Sequence, residues 1–192
     1  MPSASAERGQ VTRQRLLEAA IALVGEVGWG GVTTRMVAER AGVAPGVVHY
    51  HFSSVTSLLI TAGVGFGRVM LDELGTRLAE RPGIDEGVDW LLGELSRYTG
   101  TDPASLLVSE MFLASTRLPE LRERLEELVT RFRSQVAAWL RARGHRGDSE
   151  AAATVFAAAV DGLMMHRALD PRLDLTRLAG PLRAMLKEES TA

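Results

Sequence analysis

"TTRMVAERAGVAPGVVHYHFSS", residues 33–54, is the stretch that decides the fold of this chain. Two short helical patterns flank a tight connection, AGVA. The first predicts a helix over Thr34–Arg40 with Thr33 as its N-cap, a position that favours a side-chain oxygen. The second predicts a helix over Pro45–Phe52, with Pro45 at the first helical position, where a missing N–H costs nothing. Val37, Ala38 and Ala41 form the inner face of the first helix, and the small Ala38 lets the second approach closely. Gly42 stands where the chain turns sharply and a positive φ is useful; Val43 plugs the turn. Val48 and Phe52, four apart, make the inner stripe of the second helix. Its outer face is then Pro45, Gly46, Val47, His49 and Tyr50. Two short helices so joined have the spacing of a helix-turn-helix.

The histidines of this stretch raise the question of metal or acid–base chemistry. His49 and His51 are two residues apart, about 200° around a helix. They cannot converge on one ion from the same helix, which needs the H-x-x-x-H spacing. No nucleophile or carboxylate cluster lies beside them. The sequence therefore implies no metal, no cofactor and no catalytic residue here. His51 is balanced between a packing role and an exposed one. His49 and Tyr50 face outward as donors to phosphate oxygens.

The rest of the chain fits this picture. Its 192 residues are 46% apolar and 24% charged, with no cysteine, so disulfides and thiolate metal sites are excluded. The net charge of −2 does not advertise a nucleic-acid partner. Residues 1–57 nonetheless hold five arginines against four glutamates, which leaves the acidic balance to the remainder. MPSASAERGQ at the start has no apolar core of a signal peptide. AAATVFAAAVDGLMM (151–165) is too short for a membrane span and carries Asp161. The expectation is a cytoplasmic protein without a membrane partner.

No stretch alternates with period 2, and helix-period patterns fill nearly everything. The expected fold is all-α with about nine helices: an N-terminal three-helix helix-turn-helix domain and a larger C-terminal helical bundle. Helix 1 is expected over Val11–Val27, with Leu16, Ala20, Leu23, Val24 and Val27 as its stripe. Helix 4 follows Ser54 and ends before Pro82, and helix 5 covers about Asp85–Tyr98. Asp102–Pro103 opens helix 6, which reaches Thr116. Helix 7 runs from Pro119 to Gly144. Asp148 caps helix 8, which ends before Pro171, and Asp174 caps helix 9, which reaches about Lys187. The chain is expected to divide into 1–54, with a flexible arm over 1–10, and 55–192.

Residues 12–58 resemble the DNA-binding domain of the tetracycline-repressor (TetR) family. The resemblance rests on Gly28–Trp29 at the end of helix 1, on Thr33, Val37, Ala38, Ala41, Gly42 and Val43, and on Gly46, Tyr50 and Phe52. DGLMMHRALDP (161–171) is similar to the family's penultimate helix. The resemblance implies a homodimer on a pseudo-palindromic double-stranded operator, with its third helices in successive major grooves. By position, Thr33, Thr34 and Arg35 would meet phosphate, Ala44, Pro45, Gly46 and Val47 would approach base edges, and His49 and Tyr50 would bind backbone phosphates. Two positions depart from the family pattern. Ala44 replaces a usual polar residue, and Val55 replaces a usual phosphate-binding lysine. Base readout would then rest on apolar contact, such as Val47 with a thymine methyl, and on DNA shape.

The resemblance also implies a small-molecule effector pocket between the later helices. Phe66, Met70, Trp90, Tyr98, Met111, Phe112 and Phe132 are its candidate apolar lining, with Glu110 as a polar anchor; packing of the same residues in a core is the competing reading. Ala151, Phe156, Ala158 and Gly162 of helix 8, with Leu178 and Leu182 of helix 9, suit a dimer interface of four helices. GVGFG (63–67) looks like a nucleotide loop, but it lies inside a helical pattern rather than after a strand, and it marks a soft segment of helix 4. His145 reads as a solvated loop residue and His166 as a structural one. The expected function is a ligand-responsive dimeric DNA-binding regulator, a repressor released by a mainly apolar molecule. A regulator without an effector and a helical adaptor are the alternatives.

Overall fold

The computed structural model describes residues 4–186, and side chains from residue 6. Every regular element among them is helical. The helices are α1 (Ala4–Val27), α2 (Thr34–Ala41), α3 (Pro45–His51), α4 (Val55–Ala79), α5 (Ile84–Leu95), α6 (Pro103–Ser115), α7 (Pro119–Ala142), α8 (Ser149–Leu169) and α9 (Ala179–Leu186). The described residues form two compact units, 4–67 with 106–124, and 68–105 with 125–186.

The first unit is built on α1. Leu16, Ala20, Leu23 and Val24 recur at helical spacing and are buried, together with Val37, Ala38, Ala41, Val48 and Phe52. Each buried leucine or valine of this kind stabilises by roughly 1.5–3 kcal/mol. α1 begins at Ala4, seven residues before the expected start, so the arm expected over 1–10 is helical in its described part. Ala4 and Ala6 favour helix, Glu7 in the first turn suits the helix dipole, and the Thr12 hydroxyl donates to the Arg8 carbonyl at 3.0 Å. Residues 1–3 lie outside the described residues. α6 belongs to this unit from Leu106 onward. A Cβ on Gly63 of α4 would meet Met111 Sδ at 2.8 Å, so that glycine is a point of close approach between α4 and α6.

The second unit packs Leu78, Val88, Leu91, Leu92, Leu95, Val136, Trp139, Leu140, Phe156, Leu175 and Leu182 into one core. A Cβ on Gly87 would fall 2.1 Å from the Trp139 ring, so only glycine lets that indole lie against α5. Arg143 donates to the carbonyls of Arg81 (2.6 Å) and Ala79 (2.8 Å) and closes the end of α4. α5 stops at Leu95, short of the expected Tyr98; the chain turns there, through Gly100 at φ 81°. Asp102 then accepts the Ser105 N–H at 3.0 Å and caps α6 as expected. Asp148 caps α8 by accepting from Glu150 and Ala151.

The last helix differs from expectation. Asp174 caps a 3-10 turn, Leu175–Leu178, and α9 begins only at Ala179. Pro181 explains the break: it has no N–H for the Arg177 carbonyl, and its ring crowds that group. The expected end at Lys187 lies outside the described residues. α4 runs unbroken through GVGFG. By length and composition it is also apolar enough to cross a membrane. Core helices share that property, and Leu58, Leu59, Ile60, Ala62 and Val64 are buried.

Candidate nucleic-acid interface

α2 starts as its sequence dictates. The Thr33 hydroxyl accepts the Met36 N–H at 3.3 Å. Acting as an acceptor leaves its own proton free to donate outward. Arg35 is exposed and Thr34 half-buried beside it. At the other end Gly42 takes φ 64° and ψ 42°. Its N–H reaches the Glu39 carbonyl (3.1 Å) and the Val43 N–H reaches Ala38 (2.9 Å), the two bonds of a Schellman turn. A side chain at φ 64° would be strained, so glycine fixes the angle at which α3 leaves α2.

α1 holds both helices from behind. Arg15 donates to the Ala41 carbonyl at the end of α2. Arg40 of α2 pairs with Glu26 of α1 through two bonds of 2.8 and 2.7 Å. Those bonds hold the Glu26 carboxyl below its usual range. Arg13 lies over the Phe52 ring, 5.0 Å from its centroid.

α3 starts at Pro45 without a side-chain cap on Ala44. Val48 and Phe52 point inward and are buried. Ala44, Pro45, Gly46 and His49 are exposed, Val47 is half-buried, and Tyr50 is 84% exposed. His51 is half-buried and meets the Tyr50 ring edge-on at 5.0 Å. The tip of α3 thus offers shape and methyl groups, while its middle offers an imidazole and a phenol. Among the described residues no group of three or more His, Asp or Glu is placed to hold a metal ion.

The residues expected to line an effector site divide between the two units. In the first, Phe66 is half-buried, Met111 is core and Phe112 is 43% exposed. Glu110, expected as a polar anchor, already has a partner: its carboxylate accepts the Trp29 N–H at 2.7 Å. In the second, Met70 and Tyr98 are half-buried and Phe132 is core. Trp90 is half-buried, with Arg77 and Arg81 over its ring at 5.2 and 5.4 Å. Sequence reasoning missed Glu110's partner because the two residues are 81 apart.

Two of the residues expected at a dimer face, Phe156 and Leu182, are buried in the single chain. Phe156 is 2% exposed and points into the core of the second unit. One residue shifts a helical position by about 100°, so Val155 faces outward in its place. Ala151 and Ala158 are exposed on the same side, as are Met165 and Leu169. Ala159, Gly162, Leu163, His166, Leu178, Pro181 and Leu182 line an open apolar groove of about 290 Å³ between α8 and α9. Leu182 is buried and forms its floor, and His166, expected to be structural, is an exposed residue of its rim.

A short outward helix set by a Schellman turn, on a chain that is helical throughout, defines a helix-turn-helix DNA-binding protein. Residues 16–62 match the model of the bacterial regulatory proteins of the tetR family, and residues 82–188 match the tetracyclin repressor-like C-terminal domain. The chain belongs to the TetR family of transcriptional regulators, which bind DNA. It is 29% identical to the HTH-type transcriptional regulator BetI of Rhizobium meliloti over 160 residues, covering 83% of this chain and 79% of that one. A transcriptional regulator from Streptomyces coelicolor A3(2) superposes with a TM-score of 0.75 at 26% identity, over 92% of this chain and 99% of that one. A regulator from Saccharomonospora viridis in complex with choline has a TM-score of 0.77 at 21% identity, over 92% of this chain and 96% of that one.

Proposed function

We propose that this chain is a cytoplasmic, dimeric repressor released from a pseudo-palindromic operator by a mainly apolar small molecule. Two copies pair through α8 and α9, and their α3 helices enter major grooves one turn apart. The observation that carries this reading is the outward side of α8. Val155, Ala158, Met165 and Leu169 run along it beside the apolar groove, and large apolar groups so arranged on a helix mark an interaction site. Thr33, Thr34, Arg35, His49 and Tyr50 then bind phosphates, and Ala44 to Val47 approach base edges. The effector reading is supported by Phe66, Met70, Trp90, Tyr98 and Phe112, which keep accessible apolar surface within their own units. The Saccharomonospora viridis regulator in complex with choline shares the fold, and a small organic cation with apolar groups is the first effector class to try.

The test starts with selection of genomic fragments by the purified protein, followed by footprinting and sedimentation with and without candidate effectors. The reading expects two half-sites related by a two-fold axis, a dimer in solution, and release by one effector class. A single unpaired half-site bound by a monomer contradicts it.

A further inference from the structure

We infer that Arg13 of α1 is a DNA-backbone contact: a phosphate-binding cation, held on the Phe52 ring, that takes the place of the lysine missing at Val55. The chain has one lysine, Lys187, and none within residues 1–57, so every permanently cationic side chain of that stretch is an arginine. Between residues 6 and 57 there are five, of which Arg8, near the start of α1, is itself engaged. Arg40 is neutralised by Glu26, and Arg15 is spent on the Ala41 carbonyl. Arg35 stands at the start of α2 and already belongs to the interface. Arg13 is different: no hydrogen bond or ion pair engages it among the described residues, and its one recorded contact is with an aromatic face. No acidic residue stands three or four positions away on α1, where Gly9, Gln10, Leu16 and Leu17 occur instead.

The placement of Arg13 over the ring suits an anion. A guanidinium held by an aromatic ring spends no N–H on that contact, so its N–H groups stay free to donate to phosphate oxygens. Phe52 is 5% exposed and rooted in the core, so the cation is held in place before DNA arrives. Phe52 also ends α3 and is followed at once by exposed Ser53 and Ser54 and by the start of α4. The Ser54 hydroxyl there accepts the Ser57 N–H at 3.0 Å. Arg13 therefore places a positive charge at the junction of α3 and α4, the junction that carries Val55. Arg35 and Arg13 then mark opposite ends of the helix-turn-helix, and together they hold the duplex backbone on both sides of α3. A sequence signal existed: Arg13 is three residues before the fully buried Leu16, at the edge of the inward stripe of α1.

The experiment uses the full-length protein and a short mixed-sequence duplex as probe, with affinity measured across a salt series. The slope of log affinity against log salt counts neutralised phosphates, about 0.9 per contact. Arg13→Gln should reduce that slope by about 0.9 for each bound chain. Affinity should then fall about threefold less, per chain, between about 50 and about 200 mM salt. Arg13→Lys keeps the charge and should keep the slope, with a thermal midpoint that shows the fold is intact. A wild-type slope in Arg13→Gln, or a reduced slope in folded Arg13→Lys, overturns the assignment.

Discussion

The contact between Glu110 and Trp29 makes a quantitative prediction about what holds α6 within the DNA-binding unit. The bond is 2.7 Å long, part-buried, and runs from a backbone N–H to an ionised acceptor. Hydrogen bonds to charged groups contribute about 1.5–3 kcal/mol, and the penalty for stranding a buried donor is of similar size. Trp29 is buried, so water does not easily replace the carboxylate. Glu110→Ala should therefore destabilise by about 2 kcal/mol, a large fraction of a typical total of roughly 5–15 kcal/mol. Glu110→Gln retains an acceptor of the same reach and should lose about half as much, the difference between a charged and a neutral bond. Urea denaturation gives the energies, and hydrogen exchange at the Trp29 amide gives the local cause, with faster exchange in the alanine variant. An alanine variant within about 0.5 kcal/mol of wild type, with the Trp29 amide still protected, would refute the reasoning. It would return Glu110 to the ligand role that its neighbours in sequence suggest.

Three further perturbations have defined outcomes. Gly65→Ala meets nothing within 4 Å and should stabilise by up to about 1 kcal/mol, whereas Gly63→Ala pushes on Met111 and should be neutral to about 1 kcal/mol destabilising; equal gains in urea denaturation would count against the close approach. Ala158→Arg is on an exposed position of the single chain, so it should fold normally and sediment as a monomer; a dimer of undiminished stability would move the interface away from α8. The protein packed around Asp161 pushes its carboxyl up to about 6, against the pull of Arg133, while the residue itself stays exposed on α8. A raised carboxyl means that the folded state holds the proton more tightly, so the contribution of Asp161 to stability should grow as pH falls from about 6 toward the ordinary 3.8. Asp161→Asn should be the more stable protein at neutral pH, with the advantage shrinking by pH 5; a pH-independent difference between the two would exclude Asp161 as the source.

The parts of this structure that were legible in the sequence are those set by local rules. Thr33, Gly42, Pro45, Asp102 and Asp148 are caps and turn residues whose chemistry acts within four residues, and each sits where its type predicts. The inward stripe of Val48 and Phe52 followed from helical period alone, and with it the outward face of α3. Errors arose where distant residues or a competing local preference decide. Phe156 belongs to an alanine-rich run in which both faces look alike, and only packing against α5 and α7 residues such as Leu92 and Val136 chooses the inward one. Glu110 finds its partner across 81 residues. Pro181 overrode the expected first turn of α9. Arg13 lies outside the helix-turn-helix, on the helix behind it, where no local rule marks it.

The measurement that tests the central claim most directly is the affinity of Tyr50→Ala for a fragment selected by the wild-type protein. Tyr50 is 84% exposed, and its recorded ring contact is with His51, so its removal should leave the circular dichroism spectrum and thermal midpoint unchanged. A hydrogen bond to a phosphate contributes about 1.5–3 kcal/mol, which is about ten- to a hundredfold in affinity for each bound chain. The account predicts a loss of that size with folding intact. A variant that binds the selected fragment as tightly as wild type would contradict it, and with it the assignment of α3 as the face that meets DNA.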